Sequence, residues 1–97
     1  MTPGFRLEQY TLKRPKEVLL VRALVAGEAD EVVIFRGFSS SLVRPTAFDP
    51  DVPVLPEGAD IQSIDILEGP YTPEHPRYLQ SGLSWPQMVS VLESVGV

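Results

Sequence analysis

Side chains that could perform acid–base, nucleophilic or metal chemistry are few in this sequence. His75 is the only histidine among 97 residues and there is no cysteine, so no familiar spacing of metal ligands is present. Asp49 and Asp51 do not match the pattern of a calcium-binding loop. A serine nucleophile in residues 39–41 would have only His75 as its base. The sequence therefore predicts no catalytic residue, no metal site and no cofactor.

Two arginines stand inside stretches that are otherwise apolar. Arg22 and Arg36 interrupt runs that read as buried strands, where a charge must be paired or lie at an edge. We expect them either to pair with carboxylates such as Asp65 or Glu31, or to mark a docking surface. The candidate interaction surface comprises these arginines and nearby aromatic, hydroxyl and basic side chains, namely Arg22, Arg36, Phe38, Ser39, Ser40, Arg44 and Phe48.

Nucleic-acid binding is the alternative hypothesis for the basic residues. Seven of the eight lie in the first 44 positions, beside five acidic residues, whereas the remaining positions hold one basic and eight acidic residues. The residues that would contact phosphates are Lys13, Arg14, Lys16, Arg22, Arg36 and Arg44. Only residues 36–38 match the start of an RNA-recognition signature, and Ser39 departs from it. Because the net charge is −5, this hypothesis ranks second.

Two β-branched runs between residues 17 and 38 indicate a β-hairpin. Its turn is either the pair Gly27 and Glu28 or a four-residue loop that begins at Gly27. The two-residue turn places Leu20 opposite Phe35 and Arg22 opposite Val33. Since both faces of these strands are apolar, we expect both faces to be covered, by a helix or by closure into a barrel.

Alternating polarity predicts two further strands, in residues 5–12 and 59–67. Closely spaced prolines predict a long loop over residues 39–56, because neither a helix nor a central strand tolerates that spacing. A second proline-spaced segment, residues 71–80, is expected to end in a short helical turn over residues 77–80.

The clearest local signal is a C-terminal helix over residues 85–95. Ser84 is an N-cap, and Gln87 stands three residues later in the capping-box position. The apolar residues from Trp85 to Val95 follow helical spacing, and Gly96 suits the position after the C-cap.

Together these elements predict one α+β domain over residues 1–97, since a chain of this length forms a single small core. We expect a small antiparallel, strongly curved sheet or partly open β-barrel of three to four strands. One C-terminal helix covers it, and long proline-rich loops wrap the remainder.

Two segments resemble a small uncharacterised protein family of cyanobacteria and chloroplasts. They are GFSSSLVRPTAFDPDVPVLPEGA and IDILEGPYTPEHPRYLQSGLSW, and the likeness extends over residues 5–92. The family has no assigned activity, so the resemblance implies no catalytic residue. It implies a photosynthetic host and a cytoplasmic or stromal location. The absence of a long apolar run and of a signal-peptide core gives the same expectation of no membrane association.

The leading functional hypothesis is a non-catalytic protein-interaction module, an accessory or assembly factor of a larger complex, with an unidentified protein partner. The alternatives are a small-barrel nucleic-acid-binding protein and an enzyme of unrecognised type. Charge geometry separates the first two. One contiguous basic face would favour nucleic acid, whereas arginines paired to carboxylates would favour a protein partner.

Overall fold

The computed structural model describes residues 2–43 and 54–97. These residues form two helices and five strands. In chain order the elements are α1 (Pro3–Lys13), β1 (Glu17–Val25), β2 (Glu28–Phe35), β3 (Phe38–Ser41), β4 (Asp60–Glu68), β5 (Tyr78–Leu83) and α2 (Trp85–Ser94).

The five strands form one open antiparallel sheet in the order β3-β2-β1-β4-β5. The α+β class and the antiparallel sheet are therefore as predicted. The number of strands is five rather than three to four. The sheet is open rather than barrel-like, because β3 and β5 lie at opposite edges.

The predicted hairpin is β1–β2, but its register differs by two residues from the prediction. Leu20 pairs with Val33 and Arg22 with Glu31, because the turn is made by Ala26 and Gly27. Both turn residues have positive φ, which is typical of a type I′ turn. A shift of two residues leaves every side chain on the face that was predicted for it.

A second two-residue turn follows β2 and corrects the prediction for Arg36. Phe35 pairs with Phe38, so Arg36 and Gly37 form the turn rather than continuing a strand. The next residues, Phe38–Ser41, form the edge strand β3, although the sequence predicted a loop from residue 39 onward. Most of that predicted loop, residues 44–53, lies outside the described residues.

The predicted strand over residues 5–12 is wrong, because this segment lies within α1. Thr2 caps the helix by accepting a hydrogen bond from the Phe5 N–H, and proline occupies the first turn. The buried residues follow helical spacing; they are Gly4, Leu7, Tyr10 and Thr11. Leu7 and Tyr10 pack in the core with residues of the sheet, and Gly4 lies against Leu55.

The helical turn predicted over residues 77–80 is also wrong. Residues 78–83 form β5, which pairs with β4 through two register irregularities. Residues 69–77, which join β4 to β5, contain neither helix nor strand.

The predicted C-terminal helix is confirmed as α2. Ser84 and Gln87 form the capping box, with both reciprocal hydrogen bonds present. At the other end the Gly96 and Val97 N–H groups bond to the carbonyls of Glu93 and Leu92, a Schellman arrangement.

The main core lies between the sheet and the two helices, which cover the same face. Leu7 of α1 and Met88 and Leu92 of α2 are fully buried there. Trp85 packs against the same core but stays partly exposed. On the helix-free face a smaller cluster forms around Val18, Leu20 and Leu67, and Tyr71 packs against it.

Candidate interaction surface

The turn formed by Arg36 and Gly37 is fastened to α1. The Gly37 N–H donates to Thr11 Oγ1 at 2.8 Å, and the Thr11 hydroxyl donates to the Glu8 carbonyl at 2.7 Å. Thr11 is fully buried, so this pair of hydrogen bonds is shielded from water. Leu12 packs beside the turn, since a Cβ on Gly37 would lie only 3.1 Å from the Leu12 Cδ2 atom. The turn is thus held both by a buried hydroxyl and by packing.

Four exposed cations meet at this end of the sheet. Lys13 ends α1, Arg14 is its C-cap, and Lys16 precedes β1. Arg36 joins them from the fastened turn, because its Nε donates to the Pro15 carbonyl at 3.5 Å. Its guanidinium carbon also lies 5.0 Å from the centre of the Phe35 ring, within cation–π range. The fold therefore brings Arg36 together with cations that precede it by 20 to 23 positions in the chain.

Two large apolar side chains are exposed beside these cations. Leu12 is 55% exposed and Phe38 is 79% exposed, and each flanks the fastened turn. Leu12 borders the turn on the side of α1, whereas Phe38 points to the helix-free side, because its neighbour Ser39 bonds to α1. The surface around the turn therefore carries one large apolar side chain on each side, amid the four cations. We call this surface the basic end, and it consists of Leu12, Lys13, Arg14, Lys16, Arg36 and Phe38.

The opposite end of the sheet carries the other sign of charge. The turn there, Ala26 and Gly27, leads into β2, and Leu24 pairs with Asp60 at the start of β4. Glu28 and Asp60 are exposed at this end and Glu31 is half-buried, and we call these three carboxylates the acidic end. Asp30 is buried nearby and accepts a hydrogen bond from Ser41. Charge is therefore separated along the strand direction of the folded molecule.

Arg22 lies apart from the basic end, on the helix-free face, and its charge is compensated. Its Nη1 atom donates to Asp65 Oδ2 at 2.9 Å, so for Arg22 the structure shows the first of the two expected alternatives, pairing with a carboxylate. This hydrogen bond raises the pKa of Arg22 above its ordinary value. Asp65 also accepts the Gly82 N–H at 2.8 Å. The pair thus links β1, β4 and β5, and it has a structural role.

A shallow pocket of about 320 Å³ adjoins Arg22 at the acidic end. Its lining includes Leu24, Ala29, Glu31 and Val43. The pocket is thus separated from the basic end by the length of β1.

A hydrogen bond between α1 and β1 fixes the start of β1 next to the basic end. The Tyr10 hydroxyl donates to Glu17 Oε1 at 2.6 Å. Burial raises the pKa of Tyr10 above its ordinary value, and the bond to Glu17 raises it further. Tyr10 therefore stays a neutral donor at physiological pH.

The structure divides the candidate interaction surface predicted from the sequence. Arg36 and Phe38 belong to the basic end. Ser40 is exposed in β3, whereas the Ser39 hydroxyl turns toward α1 and donates to Glu8 Oε2 at 2.6 Å. The other two predicted residues, Arg44 and Phe48, lie outside the described residues.

Sequence reasoning missed Leu12, because it placed this residue in a strand. The signal that could have found it is the helix start at Thr2 and Pro3, which puts Leu12 in the last turn of α1.

In residues 2–43 and 54–97 no group of three or more histidine, aspartate or glutamate side chains is placed to hold a metal ion. No helix within these ranges is both long enough and apolar enough to cross a membrane.

A family model described as a domain of unknown function, DUF7734, matches residues 4–92. No curated protein and no solved structure matches the chain.

Proposed function

The chain belongs to the DUF7734 family, a domain of unknown function. From the surface described above, we propose that it is a non-catalytic protein-interaction module. In this proposal it contacts its partner through the basic end. It serves as an accessory or assembly factor of a larger complex. The cytoplasm or chloroplast stroma of a photosynthetic organism is the proposed setting, supported by the resemblance of residues 37–59 and 64–85.

The observation that carries the proposal is the exposure of Phe38. This side chain is 79% exposed, and the turn that precedes it is hydrogen-bonded to α1. Aromatic side chains are favoured at the centres of protein interfaces because they bury a large area with little loss of conformational freedom. A turn that is already ordered loses less entropy on binding than a mobile one. Phe38 therefore combines the two properties of an interface anchor, large apolar area and a rigid support.

Nucleic-acid binding remains the second candidate, and the clustering of Lys13, Arg14, Lys16 and Arg36 favours it. Two observations rank it lower. The compensated charge of Arg22 removes one cation from the predicted phosphate-contacting set. The acidic end lies on the same small domain, whose longest dimension is 31 Å, so a long polyanion bound at one end meets repulsion at the other.

The test compares two variants of the immobilised chain in extracts of an organism that encodes it. Phe38→Ser removes the proposed anchor. The control is Leu79→Ser, since Leu79 in β5 is 53% exposed and lies outside the basic end. We expect a defined set of proteins that the wild type and Leu79→Ser retain and Phe38→Ser loses.

Equal retention by all three chains, or equal loss in both variants, would contradict the proposal. Fluorescence anisotropy with single-stranded and duplex oligonucleotides covers the second candidate, at about 150 mM salt, where screening beyond about 8 Å is strong. Sub-micromolar binding under those conditions would promote nucleic acid to the first position.

A further inference from the structure

We infer that the basic end binds an acidic polypeptide segment that also carries large apolar side chains. This inference rests on the proposed function and names the chemistry of its partner. The juxtaposition that carries it is that of four cations with Leu12 and Phe38, which lie on the two sides of one turn that is hydrogen-bonded to α1.

The four cations are available to a partner. Within the described residues the one ion pair is Arg22 with Asp65, so Lys13, Arg14, Lys16 and Arg36 have no carboxylate within 4.0 Å. Three carboxylates lie near this end: Glu17 and Glu68 face each other across β1 and β4, and Glu8 accepts a hydrogen bond from Ser39. Glu17 likewise accepts a hydrogen bond from the Tyr10 hydroxyl, and neither bond removes the negative charge of the carboxylate. The four cations still outnumber these carboxylates, and cationic groups without a close carboxylate are complementary to an acidic segment.

The apolar residues add a second requirement. Charge alone would select any small anion, but Leu12 and Phe38 gain by burial only against another apolar side chain. Exposed ion pairs contribute little each, so the apolar contacts supply most of the affinity and the cations supply selectivity and association rate. A segment in which glutamate or aspartate alternates with leucine or phenylalanine satisfies both requirements.

A short acidic segment fits the molecule better than a long polyanion or a second copy of the chain. The net charge of −5 and the acidic end repel an extended phosphate backbone. A second copy could place its acidic end on the basic end, but the Ala26 and Gly27 turn there offers no aromatic side chain. Both occupants are outcomes of the test below.

The probe is a short fluorescein-labelled peptide of glutamates and leucines, titrated with the full chain at about 150 mM salt. Two matched peptides separate the requirements: one replaces glutamate with glutamine, and the other replaces leucine with alanine. We expect saturable binding of the first peptide that weakens as salt rises, and affinity at least about tenfold lower for each matched peptide, a difference of about 1.4 kcal/mol.

Variants of the chain locate the binding. The double variant Lys13→Gln with Lys16→Gln should lower affinity by roughly three- to tenfold, the range of two exposed ion pairs. Adding Glu28→Gln and Asp60→Asn removes two negative charges at the opposite end, which returns the net charge of the whole chain to its wild-type value of −5. Affinity should stay low in the fourfold variant, because the local surface rather than the total charge is responsible. Leu12→Ser should weaken binding, whereas Leu79→Ser should not.

Four results would overturn the inference. These are equal binding of the glutamine peptide, recovery of affinity in the fourfold variant, tighter binding of a single-stranded oligonucleotide than of the acidic peptide, and concentration-dependent self-association that Lys13→Gln abolishes. The outcome is separable from that of the proposed function. If Phe38→Ser still loses partners but no acidic peptide binds, the interaction module stands and the partner chemistry is wrong.

Discussion

The two hairpin turns of the sheet have nearly the same backbone conformation in different surroundings. Ala26 and Gly27 have φ values of 53° and 81°, and Arg36 and Gly37 have values of 49° and 82°. Among the described residues, no atom would lie within 4 Å of a Cβ on Gly27 in the first turn. The second is bonded to the buried Thr11 and packed by Leu12. Local backbone conformation therefore does not distinguish the turn of the candidate binding surface from an ordinary turn. The tertiary contacts with Thr11 and Leu12 do distinguish it.

The largest expected effect comes from loosening the helix to which the second turn is fastened. Leu7→Ala removes a fully buried side chain of α1 and should lower the free energy of unfolding by roughly 2–5 kcal/mol. Urea denaturation measures this loss. Hydrogen exchange should also quicken more at the Gly37 amide than at the Gly27 amide, because only the former is bonded to α1. Phe5→Ala is the control on the same helix and should change stability less, since Phe5 is 45% exposed and Leu7 is fully buried.

The next largest effect isolates the fastening hydrogen bond. Thr11→Val keeps the side-chain shape but leaves the Gly37 N–H without its acceptor, which should cost about 2 kcal/mol. Thermal and urea unfolding measure the loss, with Thr72→Val in the loop before β5 as the matched substitution at an exposed site. A Thr11→Val protein as stable as the wild type would show that the second turn does not need this bond.

Changing each turn glycine to alanine should lower the stability of the protein by different amounts. Both substitutions force alanine to a positive φ, which costs about 1–2 kcal/mol at either site. Gly37→Ala must also displace Leu12, so it should be the more destabilising of the two. Differential scanning calorimetry on the pair tests this order. A Gly27→Ala protein with the lower melting temperature would reverse the comparison between the turns.

The smallest effect separates stability from binding. Type I′ turns favour asparagine over alanine or arginine at the first central position, so Ala26→Asn and Arg36→Asn should each stabilise the fold by about 0.5–1 kcal/mol. Only Arg36→Asn removes a cation of the basic end, so only it should weaken binding of the acidic peptide. Melting curves and peptide titrations on the same samples give both results. Equal peptide affinity in the two variants would show that the charge of Arg36 is not used.

The elements that the sequence predicted well are those whose signals are local. The capping box of Ser84 and Gln87 lies within four residues, and it defines the start of α2 whatever surrounds it. The β1–β2 hairpin was predicted from its apolar runs. Its register was off by two residues, because an alanine at positive φ in the turn is set by strand pairing rather than by the preference of Ala26.

The elements that were missed depend on tertiary contacts. The pattern of residues 5–12 fits a strand as well as a helix, and burial against the sheet decides for α1. Residues 78–83 are almost entirely exposed and show no alternation, so pairing with β4 is what makes them a strand. The candidate surface follows the same rule. Arg36 and Phe38 were predicted as candidates, but the position of their turn against α1 depends on the bond between Gly37 and Thr11.

The position of β1 at the centre of the sheet has a consequence for the order of folding. Its partner β2 is two residues away, whereas its partner β4 begins at Asp60, and closing so long a chain segment is entropically slower. We therefore expect the meander of β1, β2 and β3 to form with α1 in the folding nucleus, and β4 to dock afterwards. All residues of the basic end belong to this early unit, within residues 3–41. On a growing nascent chain, the proposed binding surface would thus assemble before the rest of the sheet has been synthesised.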